Sequence, residues 1–134
     1  MKNFLLLFTF LTVFSFGCKD DDEVMDDTPY AVDITISAPT ANAVVNMNEA
    51  MAVKVDFARG AEEVIHHVKI FVLDADGNTI ATLLESHAHT AGSFGYDDAA
   101  AYTPTAAGTY KIKAVSHDMD GVHADPLEVT FTVQ

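Results

Sequence analysis

The chain predicts an all-β domain, a two-sheet antiparallel sandwich of about seven strands. Apolar and polar residues alternate with a period of two over most of the stretch from Tyr30 to Gln134, the pattern of half-buried strands. Turn residues (Gly, Pro, Asp, Asn) punctuate that stretch between the alternating runs, as they do in all-β domains. No segment carries a helical stripe; the best candidate, the alanine-rich Asp97 to Tyr102, is too short to stand alone as a helix.

Met1-Lys2-Asn3 is a short positive start, Phe4 to Phe16 an apolar run, and Gly17-Cys18 follows. This is the order of a secretory leader, residues 1–17, with a small residue before the cut. The run falls short of the roughly 20 residues needed to span a bilayer. Residues 18–29 read as a tether, being charged and almost free of apolar side chains. The folded domain occupies residues 30–134. Its first strand is expected over Ala31 to Ser37, ended by Pro39. In Ala50 to Ala58, Met51, Val53, Val55 and Phe57 alternate with Ala52, Lys54 and Asp56. Val64 to Leu73 is longer and more apolar. Asp74-Ala75-Asp76-Gly77-Asn78 is turn chemistry, and Thr79 to Glu85 returns as its hairpin partner. Ser93 to Thr103 is a weaker region of one or two short strands. Thr109 to His117 and Pro126 to Val133 form a last pair across Asp118-Met119-Asp120-Gly121.

Charge restricts the partners. Seven Lys and Arg face 20 Asp and Glu, for a formal charge of -13. Such a surface repels phosphate backbones, which excludes nucleic acid as an expected partner. It also lacks the cations that would hold anionic headgroups, so membrane contact is expected through a lipid anchor. Cys18 is the only cysteine, so there is no internal disulfide. Its position directly after Gly17 marks it for acylation, including palmitate, and each buried CH₂ adds about 0.8 kcal/mol of anchoring.

These residues resemble a known export class. Gly17-Cys18 resembles the end of a bacterial lipobox, although Ser15 and Phe16 depart from its usual Leu-Ala/Ser pair. Lys19, Asp20, Asp21 and Asp22, continued by Glu23, resemble the lipoprotein export signal of Bacteroidota. The resemblance implies a lipid-anchored protein of the outer membrane, displayed at the cell surface. A second resemblance lies in Gly108-Thr109-Tyr110-Lys111-Ile112, which is similar to the tyrosine corner of immunoglobulin-like sandwiches. There the tyrosine bonds back to the backbone upstream. Ile112 would then hold the place of the second cysteine of antibody domains, with Val53 or Val55 opposite.

Six histidines are the compositional oddity: His66, His67, His87, His89, His117 and His123. A hairpin centred on Asp76-Gly77 places His66 opposite His87 with His67 beside them, and the last hairpin places His117 opposite His123. In an immunoglobulin-like sheet the start of the Val64–Leu73 strand meets the end of the Thr109–His117 strand, so all six gather at one end. With Val68, Ile70 and Val72 inward, His67 faces out, as does His117; His87 and His89 share a side in an extended chain. Imidazole binds Zn²⁺ or Cu²⁺ when three or four rings converge. His67, His87, His89 and His117 are the expected metal set, with His66 and His123 in reserve. The same rings as ordinary exposed histidines, or as a pH-sensitive cluster, are the alternatives. His-x-His after a β-hairpin also resembles a group of immunoglobulin-like Bacteroidota lipoproteins that carry such a pair.

Other chemistry is weaker. The two Asp-x-Asp-Gly segments begin like calcium loops but lack the further oxygen ligands and distal glutamate; turn formation explains both. Gly92-Ser93-Phe94-Gly95 lacks the spacing of a nucleophile elbow. Phe94 and Tyr96 are expected to fill the core rather than form a stacking surface, and Met47 and Met51 are read as core or edge. The expected function is therefore a non-catalytic binding module of the cell envelope, holding a divalent metal through its histidines or a protein or polysaccharide through a sheet face. A structural subunit of an envelope complex is the first alternative and a small metalloenzyme the second.

Overall fold

The structure, a computed structural model, describes residues 29–134. Cys18, Lys19, Asp20, Asp21 and Asp22, and with them the expected leader and all but the end of the tether, lie outside the described residues. Eight strands follow in order: β1 Asp33–Ala38, β2 Ala43–Val45, β3 Met51–Ala58, β4 Val64–Leu73, β5 Thr79–Ala91, β6 Ser93–Tyr102, β7 Gly108–His117 and β8 Leu127–Val133. They form a three-stranded sheet, β1-β3-β6, and a five-stranded sheet, β2-β8-β7-β4-β5. Every pairing within these sheets is antiparallel except β2 with β8.

The expected sandwich is present, with one strand more than the alternation indicates. The addition is β2, three residues that pair in parallel with Phe131, Thr132 and Val133. The region after Gly92 forms a single strand, and Asp97 to Tyr102 continues it in extended form. Alternation sets the inner faces. In β3, Met51, Val53, Val55 and Phe57 are buried while the residues between them are exposed. Phe57, Ile65, Ile70, Ile112 and Phe131 are fully inaccessible, and each such side chain contributes about 1.5–3 kcal/mol by leaving water. Val53, Val55 and Ile112 share one core cluster, so apolar packing stands where antibody domains have a disulfide. Phe94, Tyr96 and Tyr102 pack against that cluster. Met51 is buried and Met47 exposed.

The tyrosine corner is present. Tyr110 Oη donates to the carbonyl of Ala106 at 2.9 Å, and its ring stacks on Phe131. Both Asp-x-Asp-Gly segments are hydrogen-bonded turns. Asp74 accepts from the backbone and side-chain amides of Asn78, and Asp118 accepts from the N–H groups of Asp120 and Val122. Gly77 and Gly121 hold φ near +87° and +84°, a region open to glycine at little cost.

β5 shapes the site. Its 13 residues pair with the 10 of β4, and the register shifts at three places. Each shift leaves an unmatched residue on β5. Bulges of this kind twist an edge strand and deny it to further pairing. The last one opposes the Ile65–His67 step to Thr90–His87 and contains His89 at φ +43°.

Candidate metal centre

The register brings four histidines into one row across the five-stranded sheet. His67 of β4 pairs with His87 on one side and His117 on the other, and His117 forms an isolated bridge to His123. The sequence-based pairing of His66 with His87 is corrected here. The bulges on β5 advance its register by one, so His67 takes that place. The His117–His123 pairing is as the sequence predicts.

Ring geometry follows from the ladder. The centroids of His67 and His87 are 3.9 Å apart at 72°, and those of His67 and His117 are 4.3 Å apart at 9°. His89 lies 6.4 Å from His67 and 6.3 Å from His87, closing a triangle of three rings. His66 meets His89 edge-on at 5.1 Å, and His123 lies 5.3 Å from His117. All four of the first-choice residues are therefore neighbours, and the two reserves attach at opposite ends. Among the described residues, no group of three or more His, Cys, Asp or Glu side chains is placed to hold a metal ion. Two imidazoles bound to one ion at about 2.0–2.1 Å have centroids roughly 4.5–5.3 Å apart. The triangle's spacings, 3.9, 6.4 and 6.3 Å, lie on either side of that range, so closing on one ion requires the exposed His87 and His89 side chains to turn.

Two residues that the sequence reading passes over hold the row from beneath. Ser116, the one polar residue fully buried among the described residues, donates from Oγ to the carbonyl of His67 at 2.8 Å. Since that donation uses its only proton, Tyr30 Oη donates to Ser116 Oγ, also at 2.8 Å. Tyr30 Oη in turn accepts from the His66 N–H at 3.4 Å. This cycle grips the His66–His67 backbone at the point where strand alternation fails, between the inaccessible Ile65 and Val68. Arg59 lies over the Tyr30 ring at 4.5 Å and donates to the carbonyls of Ala31 and Val64. A serine at an inward position after Ile112 and Ala114 was the available signal; nothing in the sequence singled out Tyr30 or Arg59.

The electrostatics favour the neutral form of the central ring. The packed rings strip water from the His67 imidazole, and His87, His117, His89 and His66 repel a proton there, so its pKa lies below the usual histidine value. His117 Nδ1 contacts the carbonyl of Asp118 at 2.9 Å. A carbonyl only accepts, so Nδ1 carries the proton and the neutral ring presents Nε2 as a lone pair, the tautomer a metal ligand needs. Next along the sheet, Lys69 pairs with Glu85 at 2.6 Å, and Lys111 and Lys113 both reach Glu128. Lys69 thus takes up most of the Glu85 charge, although that carboxylate also feels His87 and His117. The carboxylates of Asp74 and Asp118 that would begin a calcium loop are engaged by their own turns.

No known family profile matches the sequence, and no curated relative matches it either. Solved structures are similar at low identity. Fibronectin(III)-like modules of CbhA from Clostridium thermocellum share 18% identity at a TM-score of 0.49, covering 78% of this chain and 47% of theirs. This chain thus spans about half the length of that structure. A CARDB domain from Pyrococcus furiosus, solved in complex with di-metal ions, shares 16% identity at a TM-score of 0.49, covering 77% of this chain and 90% of its own. CopC from Methylosinus trichosporium OB3b shares 22% identity at a TM-score of 0.42, covering 76% and 89%.

Proposed function

We propose that this protein is a non-catalytic binding module of the cell envelope, lipid-anchored through Cys18, that takes up a divalent transition metal at its imidazole cluster. The observation that carries the metal reading is the ladder itself: His87, His67 and His117 stand directly opposite one another on three adjacent strands, with His89 brought alongside by a bulge. An all-nitrogen set of imidazole ligands favours Zn²⁺, Cu²⁺ or Ni²⁺ over Mg²⁺ and Ca²⁺, which prefer oxygen. The rings lie on an open sheet face rather than in a closed cleft, an arrangement suited to exchange of the ion. Anchoring at the outer membrane rests on Gly17-Cys18 and on the acidic run after Lys19.

Calorimetric titration of the full chain with ZnCl₂ and CuCl₂, with metal analysis after dialysis, tests the reading. Loss of the tightest binding in His67→Ala, and its weakening by at least tenfold in His87→Ala/His89→Ala, is expected. Absence of heat and of retained metal for both ions overturns it.

A further inference from the structure

The stacking of His67 on His117 divides the cluster in two. Imidazole lone pairs lie in the ring plane. Rings 4.3 Å apart and 9° from parallel direct theirs along separate planes, and no point lies about 2 Å from a nitrogen of each along both. Those two residues therefore do not share an ion in this arrangement, although they are neighbours in the row. On one side of the stack, His67 belongs to the triangle with His87 and His89. On the other, His117 faces His123 at 5.3 Å with a 53° tilt, within the spacing of two rings on one tetrahedral ion. His117 Nε2 is already the free nitrogen, because Nδ1 is held by the Asp118 carbonyl.

We propose that the row holds two metal ions: one at His67, His87 and His89, and a second at His117 and His123. This rests on the metal reading above and adds a separate site to it. The turn Asp118–Gly121 is the scaffold of the second site, since the Asp118 carboxylate fixes the turn by accepting from Asp120 and Val122 and the bridge between His117 and His123 closes it. The second ion has two protein ligands, leaving its other positions to water or to an incoming ligand. The sites are centred two strands apart, roughly 9.5 Å. At that distance two doubly charged ions in water repel enough to weaken the second binding by about 20-fold. With fewer ligands as well, the His117–His123 site fills second.

Titration of the full chain with ZnCl₂ decides the matter. Two ions per chain are expected, in two resolved steps. His117→Gln/His123→Gln abolishes the weaker step and leaves the tighter one within about threefold; His87→Gln/His89→Gln abolishes the tighter step and leaves the other, which tightens by up to about 20-fold because no first ion repels it. Circular dichroism of each variant establishes that the sheet is intact. In parallel, loading with Cu²⁺ gives an electron paramagnetic resonance spectrum with dipolar coupling between ions, lost in either double variant. A stoichiometry of one that needs both pairs overturns the two-site arrangement but leaves the metal reading standing. No binding at all overturns both.

Discussion

The imidazole of His117 lies 4.3 Å from that of His67, nearly parallel to it. Their strands are hydrogen-bonded at those two residues, so the sheet itself imposes the contact. Two protons on rings so placed repel each other, and the neutral pair is favoured.

Stability should therefore fall on mild acidification. His67 has its pKa depressed by lost hydration and then by the neighbouring rings, so below the unfolded value of about 6.5 the unfolded chain binds more protons than the folded one. The contribution is present above that pH and is lost as pH falls through it. A second loss belongs to Asp74, Glu85 and Glu128, whose pKa values are held low by hydrogen bonds from Asn78, Lys69 and Lys111 respectively. Theirs is present above about pH 4.5 and lost below. Thermal midpoints measured from pH 8 to pH 3 should decline in two stages, and His67→Gln should remove most of the first alone. An unchanged upper stage in that variant counts against the ring-packing account.

Much of this architecture is legible in the residues. Val53, Val55 and Phe57 mark the inner face of β3 by alternation alone, and Tyr110 marks the corner. The end of the sandwich that gathers the histidines also follows from hairpin geometry. The pairing of His67 rather than His66 with His87 does not. It depends on residues inserted in β5, and alternation carries no mark of a bulge when polar and apolar residues are mixed, as in Leu83-Leu84-Glu85-Ser86. β2 escapes for a related reason: three residues are too few to establish a period. The cycle through Tyr30 and Ser116 joins positions 86 apart in sequence, beyond any local pattern.

His89 occupies the left-handed region at φ +43°, where a side chain costs about 1–2 kcal/mol that glycine avoids. His89→Gly should stabilise the metal-free protein by about 1 kcal/mol, a rise of roughly 4–8 °C in Tm for a domain near this size. The same change should weaken Zn²⁺ binding at least tenfold. His89→Ala, which keeps the strain and loses the ring, should weaken binding without the gain in Tm. Equal Tm values for the glycine and alanine variants would show that the bulge is not strained.

Cys18 should carry the anchor. Full-length protein expressed in a host that processes lipoproteins is expected in the membrane fraction and should incorporate labelled palmitate. Cys18→Ser should abolish the label and move the protein to the soluble fraction. Replacing Asp20, Asp21 and Asp22 with asparagine should keep the label but reduce access of added protease to intact cells. Membrane retention of the serine variant would refute lipid anchoring at this position.

Ser116 and Tyr30 make a sharper test of how the sheet presents its histidines. Removing the Ser116 hydroxyl takes one hydrogen-bond partner each from the His67 carbonyl and the Tyr30 hydroxyl inside the core, at a cost of about 1–3 kcal/mol. Tyr30→Phe removes the other member and should cost about 1 kcal/mol, since it frees the His66 N–H. Because the two hydroxyls bond each other, the double variant should lose less than the two singles together, by 0.5 kcal/mol or more in a denaturant-melt cycle, about the coupling expected of groups in contact. The cycle closes on the backbone of His66 and His67, so Ser116→Ala should also broaden or shift the imidazole resonance of His67 while leaving that of His123, at the end of the row, nearly unmoved. Strict additivity of the two substitutions, with an undisturbed His67 signal, would mean that the row is held by the ladder alone.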